Sequence, residues 1–276
     1  MPFTPPIAPA RGKSLSYRAR RIHRWLGLII GIQFVLWTIG GLYFSWTDLD
    51  EIHGDHLMRP RAHIPASAVL VSPAAVIERI RATTRVDSIT GIELTSVLGR
   101  PTWRVNYLSV AAGRAERRRQ LADATTGALR GPLSRHEAVT AATAAYAGTA
   151  PMTSVEYLTA GNVGRHHEYR AQPLPAWAVH FGDEEGATAY VPAELGQVLR
   201  IRNDRWRVFD FLWMLHTMDY EGRDDFNNLV LRTFSVLGLL TVLSGFTLFV
   251  LTSRPVLRRR HTVAEAEAEL RSPVQA

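Results

Sequence analysis

From Trp25 to Trp46 the chain runs without one charged side chain. As a helix rising ~1.5 Å per residue, that stretch crosses the ~30 Å hydrocarbon core of a bilayer. Tryptophans stand at both of its ends, where amphipathic rings favour the headgroup region. A second apolar run, Leu229 to Thr252, is broken only by Arg232. The first run is longer than the ~7–15-residue core of a cleavable signal, and Phe44-Ser-Trp-Thr-Asp48 offers no small-x-small cleavage site, so it reads as a signal anchor. Everything between the two runs must fold as one or two small domains outside the bilayer.

Charge sets the expected orientation. The formal net charge is +7 and the pI near 10.2, but the basic residues are concentrated at the ends. Residues 1–24 hold six basic and no acidic side chains, and residues 253–276 hold five basic and three acidic. The region between the spans is nearly neutral, with 20 basic and 22 acidic residues. Positive charge beside both inner ends predicts cytoplasmic termini and about 47–228 outside, periplasmic in a bacterial inner membrane. No basic stripe interleaved with aromatics speaks for nucleic acid. The absence of cysteine excludes disulfides, thiolate-ligated clusters, a cysteine nucleophile and covalent haem attachment.

The expected organisation is a membrane α plus α+β exterior class: two transmembrane helices bracketing two tandem helix-plus-antiparallel-sheet units. Residues 1–17 read as a disordered N-terminus, 18–57 as the first span with a helical extension, and 58–71 as a linker. Ser72-Pro73 opens the first unit (72–133) as an N-cap followed by proline at the first helical position. Strands are expected around Thr90–Val97, Thr102–Val110 and Gln120–Arg130, the last turning at Gly127. Ser134-Arg-His-Glu137 opens the second unit (134–204) with a capping-box pattern. Its strands are expected around Ser154–Leu158, Arg165–Arg170, Ala176–Gly182 and within Ala187–Arg200. Ser72 matches Ser134, Trp103 matches Trp177, and Gly127 matches Gly196. Gly113–Arg119 reads as a solvated hairpin tip. Residues 205–228 read as an amphipathic helix at the membrane surface and a turn, with Phe209, Leu212, Trp213, His216 and Tyr220 on one face. Residues 229–252 form the second span and 253–276 a basic tail with a short Ala/Glu helix. Gly27 and Gly31 in the first span, and Gly238, Ser244 and Gly245 in the second, allow close helix packing, within the chain or in a homodimer.

Histidines carry the candidate chemistry. His23 precedes the first span, His53 and His56 follow it, and His216 lies on the apolar face of the surface helix. Neutral imidazole is an axial ligand for b-type haem. His23 and His53 are thirty positions apart, about 45 Å on a continuous helix, so they cannot share an iron. His53 and His56 share a face if the helix continues, and either could pair with His216. His23 would pair with His261 or with His23 of a second chain. The competing readings are an interfacial anchor for His23, a core histidine for His216, and a divalent-metal site of His53 and His56 with nearby carboxylates. No nucleophile–base pair, phosphate-cradling glycine loop or paired buried carboxylates is present.

Ile22-His-Arg-Trp-Leu-Gly27, Leu215-His-Thr217, and the closing segments Asp123-Ala-Thr-Thr-Gly-Ala-Leu and Val191-Pro-Ala-Glu-Leu-Gly-Gln-Val resemble the PepSY-associated transmembrane family over about residues 18–252. The resemblance implies PepSY-like exterior units anchored in a bacterial inner membrane. Some larger relatives look like haem-containing iron–siderophore reductases, built on four or more spans where this chain has two. Two functions follow as expectations. One is a haem-dependent oxidoreductase or ferric reductase subunit that passes electrons to a periplasmic acceptor, as a homodimer or with another redox subunit. The other is a non-catalytic anchored module whose units bind a periplasmic protein or peptide.

Overall fold

The structure, a computed structural model, describes residues 15–111 and 113–270. Most of the expected disordered N-terminus, residues 1–14, lies outside the described residues, as does the side chain of His261. The chain divides into a helical unit (residues up to Gly40, Leu215–Tyr220 and from Asp224) and a sheet unit (Gly41–Met214 with Glu221–Arg223).

In the helical unit, α1 (Leu15–Trp46) and α6 (Leu229–Leu270) contain segments long and apolar enough to cross a membrane, Arg20–Trp46 and Leu229–Val250. Only 11% and 6% of their most apolar windows are buried, unlike the core helix of a soluble protein. Asn228 starts α6, its Oδ1 accepting from the Leu231 amide at 2.8 Å while its Nδ2 donates to the Thr217 carbonyl at 3.0 Å. Asp219 holds the preceding turn by accepting from the amides of Asp224 and Asp225. The tail expected to carry a separate short helix is continuous with α6.

The sheet unit begins at Gly41, within the last turns of α1. Asp48 caps a new short helix, α2 (Leu49–His53), by accepting from the Asp50 amide, and Gly54 ends it at φ +78°. A Cβ on Gly54 would stand 2.5 Å from the Ile201 carbonyl oxygen, so glycine allows the chain to turn here against the last strand. A 3-10 turn, Asp55–Leu57, follows. The expected continuous helical extension is therefore broken twice.

Two units of one design come next. In the first, α3 (Pro73–Thr83) precedes strands β1 (Ser88–Val97), β2 (Arg100–Ala111), β3 (Arg114–Asp123) and β4 (Leu129–Arg130), antiparallel in that order. In the second, α4 (Arg135–Ala145) precedes β5 (Met152–Leu158), β6 (Ala176–Phe181), β7 (Thr188–Pro192) and β8 (Arg200–Arg202), again in order. Ser72 caps α3, and Ser134 with Glu137 forms a complete capping box on α4.

The repeat extends to individual hydrogen bonds. Trp103 Nε1 donates to the carbonyl of Val71, one residue before the first cap; Trp177 Nε1 donates to that of Leu133, one residue before the second. The Val71 and Leu133 amides donate to Ala124 and Ala193, whose own amides donate to Pro101 and Pro175. Gly127 and Gly196 close equivalent turns at φ +72° and +76°. Each tryptophan thus ties the second strand to the start of its own helix. Since both are half-buried, Trp103→Ala and Trp177→Ala should each cost about 2–3 kcal/mol, and phenylalanine about 1 kcal/mol for the lost hydrogen bond. Urea midpoints of the full chain check this; parental midpoints in both alanine variants would refute the equivalence.

Val76 and Ile80 of α3 pack on Val105, Tyr107 and Ala122. Ala138 and Ala142 of α4 pack on Val179, Ala189, Val191 and Ile201, in a core that also takes in Val97 and Leu121 of the first sheet. The opposite face of the second sheet is covered by the connection Thr159–Pro175, whose Tyr169 stacks on Tyr190 at 4.8 Å and donates its hydroxyl to the Pro173 carbonyl. Here the expected strand Arg165–Arg170 is a set of turns instead. Residues Arg114–Arg119, expected at a hairpin tip, lie in β3 as an exposed edge of the β2–β3 ladder, and the positive-φ turn residue is Gly113.

Candidate functional site

In the helical unit, His23 Nδ1 lies 2.8 Å from Ser244 Oγ, and Ser244 Oγ donates to the Thr241 carbonyl at 2.7 Å. Ser244 thus holds the His23 ring by its Nδ1 and leaves Nε2 outside that hydrogen bond. Hydrogen-bonding one ring nitrogen to orient the other is how proteins prepare a histidine ligand. Gly245 makes room for the ring, since a Cβ there would lie 3.3 Å from His23 Cε1. The expected close-packing pair Ser244-Gly245 thus serves His23.

His216 sits at the end of α5 (Asp204–Thr217) and belongs to the same helical unit. Gln33 Nε2 donates to the neighbouring Leu215 carbonyl at 2.7 Å, so the end of α5 is level with the middle of the first apolar segment. The His216 ring centroid lies 5.3 Å from that of Trp37, which in turn meets Phe34 and Phe234 edge-on. Trp37 follows His23 by fourteen residues, just under four turns, so both lie on one face of α1 about 21 Å apart. Tyr220, expected on the α5 face with His216, lies beyond the end of the helix.

His53 and His56 belong to the sheet unit. Gly54 and the 3-10 turn put them on different elements, so the shared helical face expected of them does not form. His53 packs on Trp206 and Phe209 with centroids at 5.6 and 6.4 Å. His56 Nε2 lies 3.0 Å from Glu185 Oε2. Among the described residues, no three or more His, Asp or Glu side chains are grouped to hold a metal ion.

A charged network in the sheet unit went unread in the sequence. Asp210, on α5, accepts from both Nη1 and Nη2 of Arg170 at 3.1 and 2.7 Å, and from Arg223. Glu168 accepts from Nε and Nη2 of Arg207 and from the Tyr190 hydroxyl. Burial is the main force raising the Tyr190 hydroxyl far above the usual phenol range, with Glu168 adding to it. Arg202 is 5% exposed, its guanidinium 3.2 Å above the Trp206 ring, and burial pulls it down to about 9. The ion pairs of Asp210 and Glu168 join residues 13 to 40 positions apart, so the local pattern carries no signal beyond the arginines and carboxylates themselves.

Two apolar helices bracketing a tandem helix-plus-sheet repeat define the class of the chain. No family model, curated protein or solved structure matches it.

Proposed function

We propose that the chain is a two-pass inner-membrane protein of the PepSY-associated kind, with cytoplasmic termini, that holds b-type haem through His23 and His216 and passes electrons towards a periplasmic acceptor such as ferric iron. The observation carrying this reading is the Thr241–Ser244–His23 chain of contacts, which fixes an imidazole by its Nδ1 within an apolar helix pair. Ionisable side chains within membrane segments are functional-site hypotheses by default. Two imidazoles would hold the haem: His23, oriented by a hydroxyl, and His216, packed on Trp37. Haem, when bound, supplies one-electron chemistry. The chain's own residues orient the ligands and exclude water around them. A second copy would supply the further ligands: a Cβ on Gly27 or Gly31 would meet nothing within 4 Å, which leaves that side of α1 open to another helix.

The test is the absorption spectrum of protein purified in mild detergent from haem-replete cells. A low-spin, six-coordinate spectrum is expected, lost or converted to high-spin in His23→Ala and His216→Ala and unchanged in His180→Ala. Ser244→Ala should keep the haem but weaken its binding about 10–100-fold, as loss of an orienting partner does. His53→Ala and His56→Ala report whether either of these two contributes a ligand. Colourless parental protein would refute the reading.

A further inference from the structure

The sheet unit contains a groove of about 620 Å³ beside β1, in the ~300–1,000 Å³ range of ligand sites. Its walls are Glu93–Ser96, Leu98 and Gly99 on one side and the extended segment Met58–Ile64 on the other, with Ala141, Ala145 and Gln197 as floor. Neighbouring residues of β1, whose side chains point to opposite faces, both line it, and no residue of β2 does. The space therefore flanks the free edge of the sheet rather than covering a face.

The polarity of that edge follows from the hairpin. Val97 and Arg100 flank a two-residue turn, Leu98-Gly99, with φ +52° and +78°. The flanking pair of such a turn is hydrogen-bonded, and bonding alternates from there. Val97, Thr95 and Glu93 thus direct their backbone groups to β2, and Ser96 and Leu94 direct theirs into the groove. Pro101, which has no amide hydrogen, stands opposite Ser96, and its carbonyl accepts from Ala124 on the far side. Among the described residues, no backbone group bonds Leu94 or Ser96 from the groove side.

The charges in the walls are one-sided. Glu93, the single carboxylate, is paired with Arg104. The Arg59 guanidinium donates to the neutral Ala144 carbonyl at 3.4 Å, and Arg61 and His63 are exposed beside it.

We propose that this groove binds an extended acidic peptide segment, which adds to the sheet as a strand on β1. Its backbone pairs with the amides and carbonyls of Leu94 and Ser96, and its carboxylates face Arg59, Arg61 and His63. Alternate side chains of such a strand point to opposite sides, so a sequence alternating acidic and small apolar residues suits one basic wall and an alanine floor.

The test is titration of the full chain, in non-ionic detergent, into a fluorescent alternating glutamate–valine hexapeptide. Saturable binding is expected, about tenfold or more weaker for the lysine–valine counterpart and for Arg61→Glu. Ser96→Pro removes an edge donor at a position an edge strand tolerates, and it should also cost about tenfold or more. Methylating alternate peptide nitrogens should have the same effect without touching the protein, which covers the case of a misfolded Ser96→Pro. No binding up to about 1 mM would overturn the proposal. Equal binding of the lysine peptide would overturn the charge assignment, and equal binding of the methylated peptide would overturn strand addition. The readout is independent of haem, so colourless protein that binds the peptide rejects only the redox reading.

Discussion

Asp210→Ala should lower the stability of the sheet unit by about 3–5 kcal/mol, the usual cost of removing one partner from a buried ion pair. The Asp210 side chain is 5% exposed, and Arg170 and Arg223, which it serves together, are 12% and 16% exposed. Without the carboxylate, two largely buried guanidinium groups lose the countercharge they share. Arg170 keeps the Gly222 carbonyl as an acceptor, but a neutral carbonyl does not replace the charge. Asp210→Asn should recover little, since it preserves shape and removes the same charge. The contrast is Glu51→Gln, which breaks the Glu51–Arg205 pair, where both side chains are about half exposed. That loss should be about 0–1 kcal/mol. Urea midpoints of the full chain in detergent, followed by tryptophan fluorescence, measure both. Equal midpoints for parent and Asp210→Ala would show that this network does not hold the fold.

Asp210 also marks the limit of what the sequence makes legible. Local devices are readable because cause and effect lie within a few residues. Ser72-Pro73 and Ser134–Glu137 cap helices where their side chains reach the first turn. Gly127 and Gly196 occupy the positive φ that a closing turn requires. Trp103 and Trp177 are matched because each is the tryptophan of a strand that follows its own cap, although the longer β5–β6 connection sets the second farther from its cap than the first. The helix break at Gly54 was also legible: Asp48 is an N-cap and glycine five residues after Leu49 is a stop. The pull of an apolar span continuing outward hid it, and with it the separation of His53 from His56. Arg165–Arg170 carries no apolar alternation and lies in a seventeen-residue connection, where Tyr169 stacks on Tyr190. The partner of His23 was beyond reach. Ser244 is 221 positions away, and only the packing of α1 on α6 brings the hydroxyl to the imidazole.

The repeat predicts a difference between its two closing glycines. Gly127 and Gly196 share a backbone conformation, so replacing either with valine carries about 1–2 kcal/mol of left-handed strain. Their surroundings differ. At Gly127 a Cβ would meet the Arg79 guanidinium at 2.9 Å, the mobile end of a long side chain that can swing aside. At Gly196 it would stand 2.6 Å from Val97 Cγ2 and 3.2 Å from Leu121 Cδ1. Both belong to the first sheet and to the core that α4 shares with the second. Close-packed interiors yield little, and overpacking adds about 1–3 kcal/mol. Gly196→Val should therefore cost about 2–5 kcal/mol in total, and Gly127→Val about 1–2 kcal/mol. The extra cost at Gly196 measures how firmly the second repeat is seated on the first. In the double variant Gly196→Val with Val97→Ala, the wall that the new side chain strikes is withdrawn, so part of the overpacking cost should return even though Val97→Ala alone destabilises. That non-additivity is the signature of direct contact between the two positions. Simple addition of the two single effects would mean the repeats are not packed through Gly196, and equal costs for the two valine variants would mean backbone strain alone governs both turns.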